Sequence, residues 1–388
     1  MLSDTAAWST GPAASFCVTG TRLRRAMRAA GWPDSGLRLG PARSTGGYGS
    51  VSSVTATPRV VVSASIAFDH VMSFGGSFKD HILADKAHVL SISFLLDSMK
   101  KQRGGVGGNI AYSLALLNVP CALAGAVGSD FDAYRDVLSS LGVDLSSILT
   151  IDDDFTSSSF MNADMAGNQI ASFYPGAGGH SADLDVTAQA GRADYGLVSA
   201  AAPDAMVKHA EEIAAAGCKL VFDPSQQIVI LDGEQLSRGI DLAYMVVGND
   251  YEFSMLERKT GLSIDDIARK VPITVVTYGG QGSELRAGGD VVRVPVAEPN
   301  PLVDPTGGGD AFRAGLLKGL LLSKDLAVTG RIAALTATHA IEFHGPQEHS
   351  FTPRSFLARF QASFPDYADH LTFDDLDRTD VTAATVAG

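Results

Sequence analysis

From Arg59 onward the chain alternates short apolar runs with stretches of helical periodicity, and this alternation constrains the fold more than any other feature of the sequence. Apolar runs that lack a polar partner at every second residue are buried on both faces, which requires helices above and below them. The valine-rich stretch 59–66 is the first such run. Ile110, Leu114 and Leu117 recur at helical spacing within 108–117, 121–128 reads as the next strand, and 131–142 as the next helix. YGLVSA, KLVFDPS, AYMVVGND and PITVVTYGG each read as a strand passing into a polar loop, with helices between them. The class predicted is α/β, a parallel sheet covered on both faces. Ligands in open sheets of this kind bind beyond the carboxyl ends of the strands, so those loops are where chemistry is expected.

Two segments, 68–100 and 155–175, break the rhythm with partial alternation and turn residues, and we read them as a small β excursion serving as a lid. Residues 59–365 form the α/β domain, and the polar, acidic end, 366–388, reads as a flexible tail. Residues 1–58 carry six arginines against two aspartates and are rich in Gly, Ser, Ala and Thr. This extension fits a flexible tail or an over-long translation start better than an organellar transit peptide, and no secretory apolar stretch follows its arginines.

Charge narrows the function. A net charge of −13 at pH 7 leaves no room for a large basic face, which argues against nucleic acid as partner. No stretch reaches the roughly 18–20 apolar residues of a membrane-spanning helix. Cys17, Cys121 and Cys218 are far apart and form no zinc-type pattern, so a reducing compartment is expected, with the cytoplasm as location.

The run DPTGGGDAFRAG, 304–315, carries the chemistry. Successive glycines before a helix let backbone N–H groups converge on one concavity, where the helix dipole favours an anion. Gly307, Gly308 and Gly309 form that hole in our reading, and Asp310, in the first helical turn, is placed to take a proton from an attacking hydroxyl. The helix that follows is apolar on nearly every side and is therefore expected to be buried.

DPTGGGDAF resembles the D-T-x-G-A-G-D signature of the ribokinase (phosphofructokinase-B) family, with Gly308 where alanine or valine is usual. Two further motifs agree in order and spacing: GGVGGNIAYSLALL, 104–117, and the N-x-x-E of Asn249 to Glu252. Within the family the likeness is greatest to adenosine kinases of the mycobacterial type. It implies a Rossmann-like three-layer α/β/α domain with a small β lid, and transfer of the γ-phosphoryl of ATP to the 5′-hydroxyl of adenosine.

The resemblance also assigns roles. Ser65, Asp69, Ser93, Gly105 and Asn109 fall at the ribose site, and Asp310 is the base. Phe160 and Phe173 match rings that stack on the base, with lid core as the competing reading. Gln226 and Gln227 match a base or sugar edge, with a surface turn as the alternative. Asn249 and Glu252 are expected to position Mg²⁺ through water. Thr277, Gly279, Gly282 and Thr306 line the ATP site with Asn249 and Gly309. Asp304 and Thr306 match positions that hold a monovalent cation, K⁺. His344, Gln347 and His349 are expected to have only solvent or helix-end roles. A homodimer through the lid would cover its strand edges. The competing functions are a kinase for another nucleoside or for ribose or fructose, and a scaffold that has lost catalysis; the presence of Asp310 argues against the scaffold.

Overall fold

The computed structural model describes residues 57–81 and 92–377. The sequence readings for 1–56, for 82–91 within the first lid segment, and for 378–388 lie outside the described residues.

Nine strands form the main sheet in the order β13-β12-β11-β10-β9-β8-β1-β4-β5, from β13 (Asp290–Val294) at one edge to β5 (Asp144–Ile151) at the other. Those that bear on the site are β1 (Val60–Ser63), β4 (Cys121–Gly128), β8 (Tyr195–Val198), β9 (Lys219–Phe222), β10 (Met245–Asn249) and β11 (Ile273–Thr277). β1 pairs in parallel with both β4 and β8, so the chain leaves it in two directions and its carboxyl end is the switch point of the sheet. Alternating side chains feed two cores. Val60, Val62, Met245 and Val247 pack in one cluster with Ile110, Phe312 and Ile332, while Val198, Leu220, Phe222 and Val246 pack in the other with Met206, Leu236 and Phe253.

The helices used below are α1 (Val106–Leu116), α2 (Asp132–Ser140), α3 (Pro203–Ala215), α4 (Gly233–Leu242), α5 (Asp250–Thr260), α6 (Ile264–Lys270), α7 (Gly308–Leu321), α8 (Leu326–Ile341) and α9 (Pro353–Ser363). Local chemistry fixes their starts: Asp232, Asn249, Ser263 and Thr352 each close a capping box at the head of α4, α5, α6 and α9.

The lid is a second sheet, of β2 (Ala67–Phe74), β3 (Ser98–Gly104), β6 (Ser157–Asp164) and β7 (Gln169–Tyr174), in the order β3-β2-β6-β7. This matches the expected excursion.

Two expectations need correction. The main sheet is mixed: β12 (Ser283–Ala287) and β13 (Asp290–Val294) form an antiparallel hairpin on its edge, closed by the Gly288–Gly289 turn. The segment expected to be a flexible tail is packed as far as residue 377, because Leu371 and Leu376 are buried and Lys324 binds Asp375 at 2.9 Å.

Candidate active site

The expectation that α7 is a buried helix matches the structure. Phe312 to Gly319 are buried in succession, whereas Gly309 is exposed and Asp310 half-buried. Gly307 is the left-handed N-cap, with φ 79°. The N–H groups of Gly309 and Asp310 have no protein partner among the described residues, as is usual for the first turn of a helix. A Cβ on Gly308 would come 2.7 Å from Ile341 Cγ2, so Ile341 on α8 fills that space.

Asn109 on α1 is 5% exposed and donates Nδ2–H to Asp310 Oδ2 at 2.8 Å. Burial pushes Asp310 up to about 6, against the pull of the Asn109 amide and of the Arg313 guanidinium. A carboxyl in that range is ionised at neutral pH and still basic enough to accept a proton.

Below it lies a buried ionic group. Arg313, one turn along α7, binds Asp223 through Nε and through Nη2 at 2.7 Å, and donates Nη1–H to the carbonyl of Gly309 at 2.9 Å. Its Nη2 lies 3.7 Å from Glu252 Oε2. Ser199 Oγ completes Asp223 at 2.7 Å. Asp223 and Ser199 follow the ends of β9 and β8, and Glu252 lies in the first turn of α5 after β10, so the arginine anchors the start of α7 to the carboxyl edge of the sheet.

Glu252 and Asn249 form the capping box of α5: Asn249 N–H donates to Glu252 Oε2 at 2.7 Å and Glu252 N–H to Asn249 Oδ1 at 2.8 Å. Burial raises the Glu252 carboxyl, Asp223 adds to this and Arg313 opposes it. Its other oxygen, Oε1, has no protein partner among the described residues, so it fits a magnesium-bound water. Asp304 accepts from Thr306 N–H at 2.9 Å and from Gly345 N–H at 3.2 Å, tying the glycine loop to residues 344–347. Thr277 ends β11, Gly279 begins the next turn at φ 55°, and Gly282 closes it at φ 90° against Val294. A cavity of about 530 Å³ lies beside this turn, lined by Tyr278, Glu284 and Arg293 among others; it includes neither Asp310 nor the glycine run.

On the lid, Asp69 receives a hydrogen bond from Ser159 Oγ at 2.5 Å, and burial raises its carboxyl. The registers Asp69↔Gln102, Asp69↔Ser159 and Ser159↔Phe173 place these four residues on one face. That face turns toward the anion hole, since Gln102 Nε2 reaches the carbonyl of His344. Phe160 is one residue out of phase. It lies on the opposite face, stacked on His70 with ring centroids 4.7 Å apart. Two rings on opposite faces of one sheet cannot sandwich a base within a single chain, which corrects the expected pairing.

Other expected residues have structural duties. Ser65 Oγ accepts Val106 N–H at 3.2 Å, capping α1. A Cβ on Gly105 would meet Ala67 N at 2.5 Å, so this glycine, at φ 81°, serves the approach of two backbone segments. Ser93 and Gln226 are exposed, and Gln227 leaves a buried Oε1 without a partner among the described residues.

Solvent or helix-end roles fail for two residues of the 344–349 loop. Gln347, 2% exposed, donates to Asn109, and His349, 0% exposed, sits edge-on to Tyr112 with its ring pushed down to about 4 by burial. Arg313 and Asp223 were missed as well. The signal for Arg313 was a charge at i+3 from Asp310 on a largely apolar helix whose one other basic residue is Lys318. Nothing in the local sequence distinguishes Gln347.

Residues 69–353 match the pfkB family of carbohydrate kinases. The chain belongs to that family. It is 29% identical over 299 residues to a nucleoside kinase of Methanothermobacter thermautotrophicus, a match that spans 76% of this chain and 96% of the relative. The nucleoside kinase of Burkholderia thailandensis, solved in complex with inosine, superposes with TM-score 0.70 at 34% identity, over 79% of this chain and 98% of that one. The Methanocaldococcus jannaschii nucleoside kinase, an archaeal member of the ribokinase family, shares the fold with TM-score 0.71 at 24% identity, over 79% and 99%. The fold is ribokinase-like and the chain is a phosphotransferase of the carbohydrate and nucleoside kinase group. Kinases of this family use ATP, generally with Mg²⁺. No described helix is long and apolar enough to cross a membrane.

Proposed function

We propose that this kinase phosphorylates the 5′-hydroxyl of a purine nucleoside, adenosine first, with ATP as donor. The observation that carries the reading is the pairing of Asp310 with Asn109 at the open mouth of α7. A base near 6, an amide holding it, and free helix-start N–H groups beside it are the parts an in-line phosphoryl transfer needs.

Asp310 takes the proton of the alcohol as the oxygen attacks. Gly309 and Asp310 offer N–H groups, and the helix start at Gly307–Gly309 its dipole, to the charge that develops on the transferred phosphoryl group, while the Gly308 N–H donates to the Pro305 carbonyl at 3.2 Å and shapes the loop. Asp69, steadied by Ser159, accepts hydrogen bonds from the ribose diol, and Asn109 meets the sugar from the other side. Mg²⁺ bound with ATP supplies charge neutralisation at the phosphates, and Glu252 and Asn249 hold it through water. Asp304 and Thr306 are assigned the monovalent cation beside the hole. Phe173, 61% exposed on the face of Asp69, offers one ring to the base.

A single ring discriminates weakly between purines, and the inosine complex of the Burkholderia relative makes inosine the second substrate to consider. Initial rates with ATP and Mg²⁺ over adenosine, inosine, cytidine, ribose and fructose test the reading. The expected result is a kcat/KM at least about tenfold higher for purine nucleosides than for either sugar. A preference for ribose or fructose would overturn it.

A further inference from the structure

Three side chains join the carboxylate of Asp310 to a main-chain carbonyl on the lid strand β3. Asn109 Nδ2 donates to Asp310 at 2.8 Å, Gln347 Nε2 donates to Asn109 Oδ1 at 2.9 Å and also to Tyr134 Oη, and Tyr134 donates to the carbonyl of Gly104 at 2.9 Å. Every direction in this chain is forced from its far end. A carbonyl only accepts, so the phenol's single proton goes to Gly104 and the phenol oxygen can only receive. Gln347 must therefore present its NH₂ side to Tyr134, and the second proton of that group meets Asn109. Asn109 is left with its own NH₂ toward Asp310.

Two observations argue that this arrangement is built for the carboxylate. Gln347 keeps Oε1 buried without a partner among the described residues, a cost that its own hydrogen bonding does not explain. A Cβ on Gly108 would lie 2.0 Å from Tyr134 Oη, so the glycine beside Asn109 is the gap through which the phenol reaches the amide.

We propose that Gln347 and Tyr134 are positioning residues, which lock the Asn109 amide in the one orientation that donates to the catalytic carboxylate. The inference rests on the kinase reading above. The charged and titratable groups around Asp310 are Arg313 on its own helix, Asp223 beyond β9, Glu252 on α5 and Tyr134 on α2, so a change in the amide is read against a fixed ionic background.

Three variants test it: Gln347→Leu, Gln347→Glu and Tyr134→Phe, each measured for kcat, KM for ATP and the pH profile of kcat, with the unfolding midpoint recorded. Gln347→Leu is expected to lower kcat about tenfold or more, with KM for ATP within about twofold. Loss of the oriented donor disfavours the ionised base, so the acidic limb of kcat moves to higher pH. Gln347→Glu accepts from Asn109 and turns the amide oxygen toward Asp310, and is expected to be at least as damaging as Gln347→Leu. Tyr134→Phe deletes one oxygen and moves kcat and the limb in the same direction, by about threefold in kcat.

Wild-type kcat and an unmoved limb in Gln347→Leu overturn the proposal. Should that variant fail to fold, an unmoved kcat and limb in Tyr134→Phe do the same. A wild-type chain that phosphorylates no nucleoside or sugar removes the kinase reading itself, and the positioning role with it.

Discussion

In the main sheet, β1 and β4 bury every residue, whereas β7 of the lid buries none. The buried half holds the Asp310 carboxyl and, below it, the ionic group of Arg313, Asp223 and Glu252, on elements packed into the core. The lid carries Asp69 and Phe173 on strands that pair well with one another and leave much of their faces open. One region can hold a proton acceptor in place before any ligand arrives. The other completes its contacts only when something covers it.

The largest expected break in this comparison comes from Asp310→Asn, which keeps the shape and removes the base. We expect kcat to fall by roughly 10²–10⁴ while nucleoside affinity, measured by calorimetry, changes less than about twofold. Full turnover in that variant would remove Asp310 from the mechanism.

Next is the ionic group. Arg313→Leu leaves Asp223 and Glu252 buried without their cation and should cost about 3–5 kcal/mol in urea unfolding, whereas Phe160→Ala on the lid should cost less than about 1 kcal/mol. Equal losses would mean that the two halves are not built differently.

pH sharpens the contrast in activity. Because the Asp310 carboxyl is raised to about 6, it is protonated below that pH and cannot act as a base. The kcat/KM of the free enzyme should therefore fall about tenfold per unit below pH 6 and level off above it, and a profile flat to pH 5 would contradict this assignment.

The smallest effect separates the two lid rings. Phe173→Ala should raise KM for the nucleoside roughly fivefold, and Phe160→Ala less than about twofold. A reversal would place the base on the other face of the lid.

The core of the fold was legible because buried parallel strands leave an unambiguous pattern: the strand at 60–63 and the helix at 106–116 fall where apolar period alone puts them. The lid was legible as a departure from that pattern. The antiparallel edge hairpin was not separated from its neighbours, since SELRAGGDVVRV alternates weakly and its turn glycines resemble any loop. The end at 366–377 looked flexible because two buried leucines carry too little signal against its acids.

For the site, glycines and carboxylates advertise themselves and long-range partners do not. Asp310 was readable from its glycines, but its connection to Gln347 depends on a contact between residues far apart in the chain. Phe160 and Phe173 were both visible as aromatic residues in strands. Their opposite faces follow only from the strand register, which no local stretch specifies.

The chain from Asp310 to Gly104 has a consequence for chain order. Its members come from the head of α1, from α2, from α7 and from the loop after α8, and the last to be synthesised is Gln347. A fragment ending between α7 and that loop would contain every glycine of the anion hole and the acid itself, yet would leave the Asn109 amide free to turn. On the positioning role proposed above, the orientation of the Asn109 amide is therefore set only when the segment after α8 folds back onto α1 and α2.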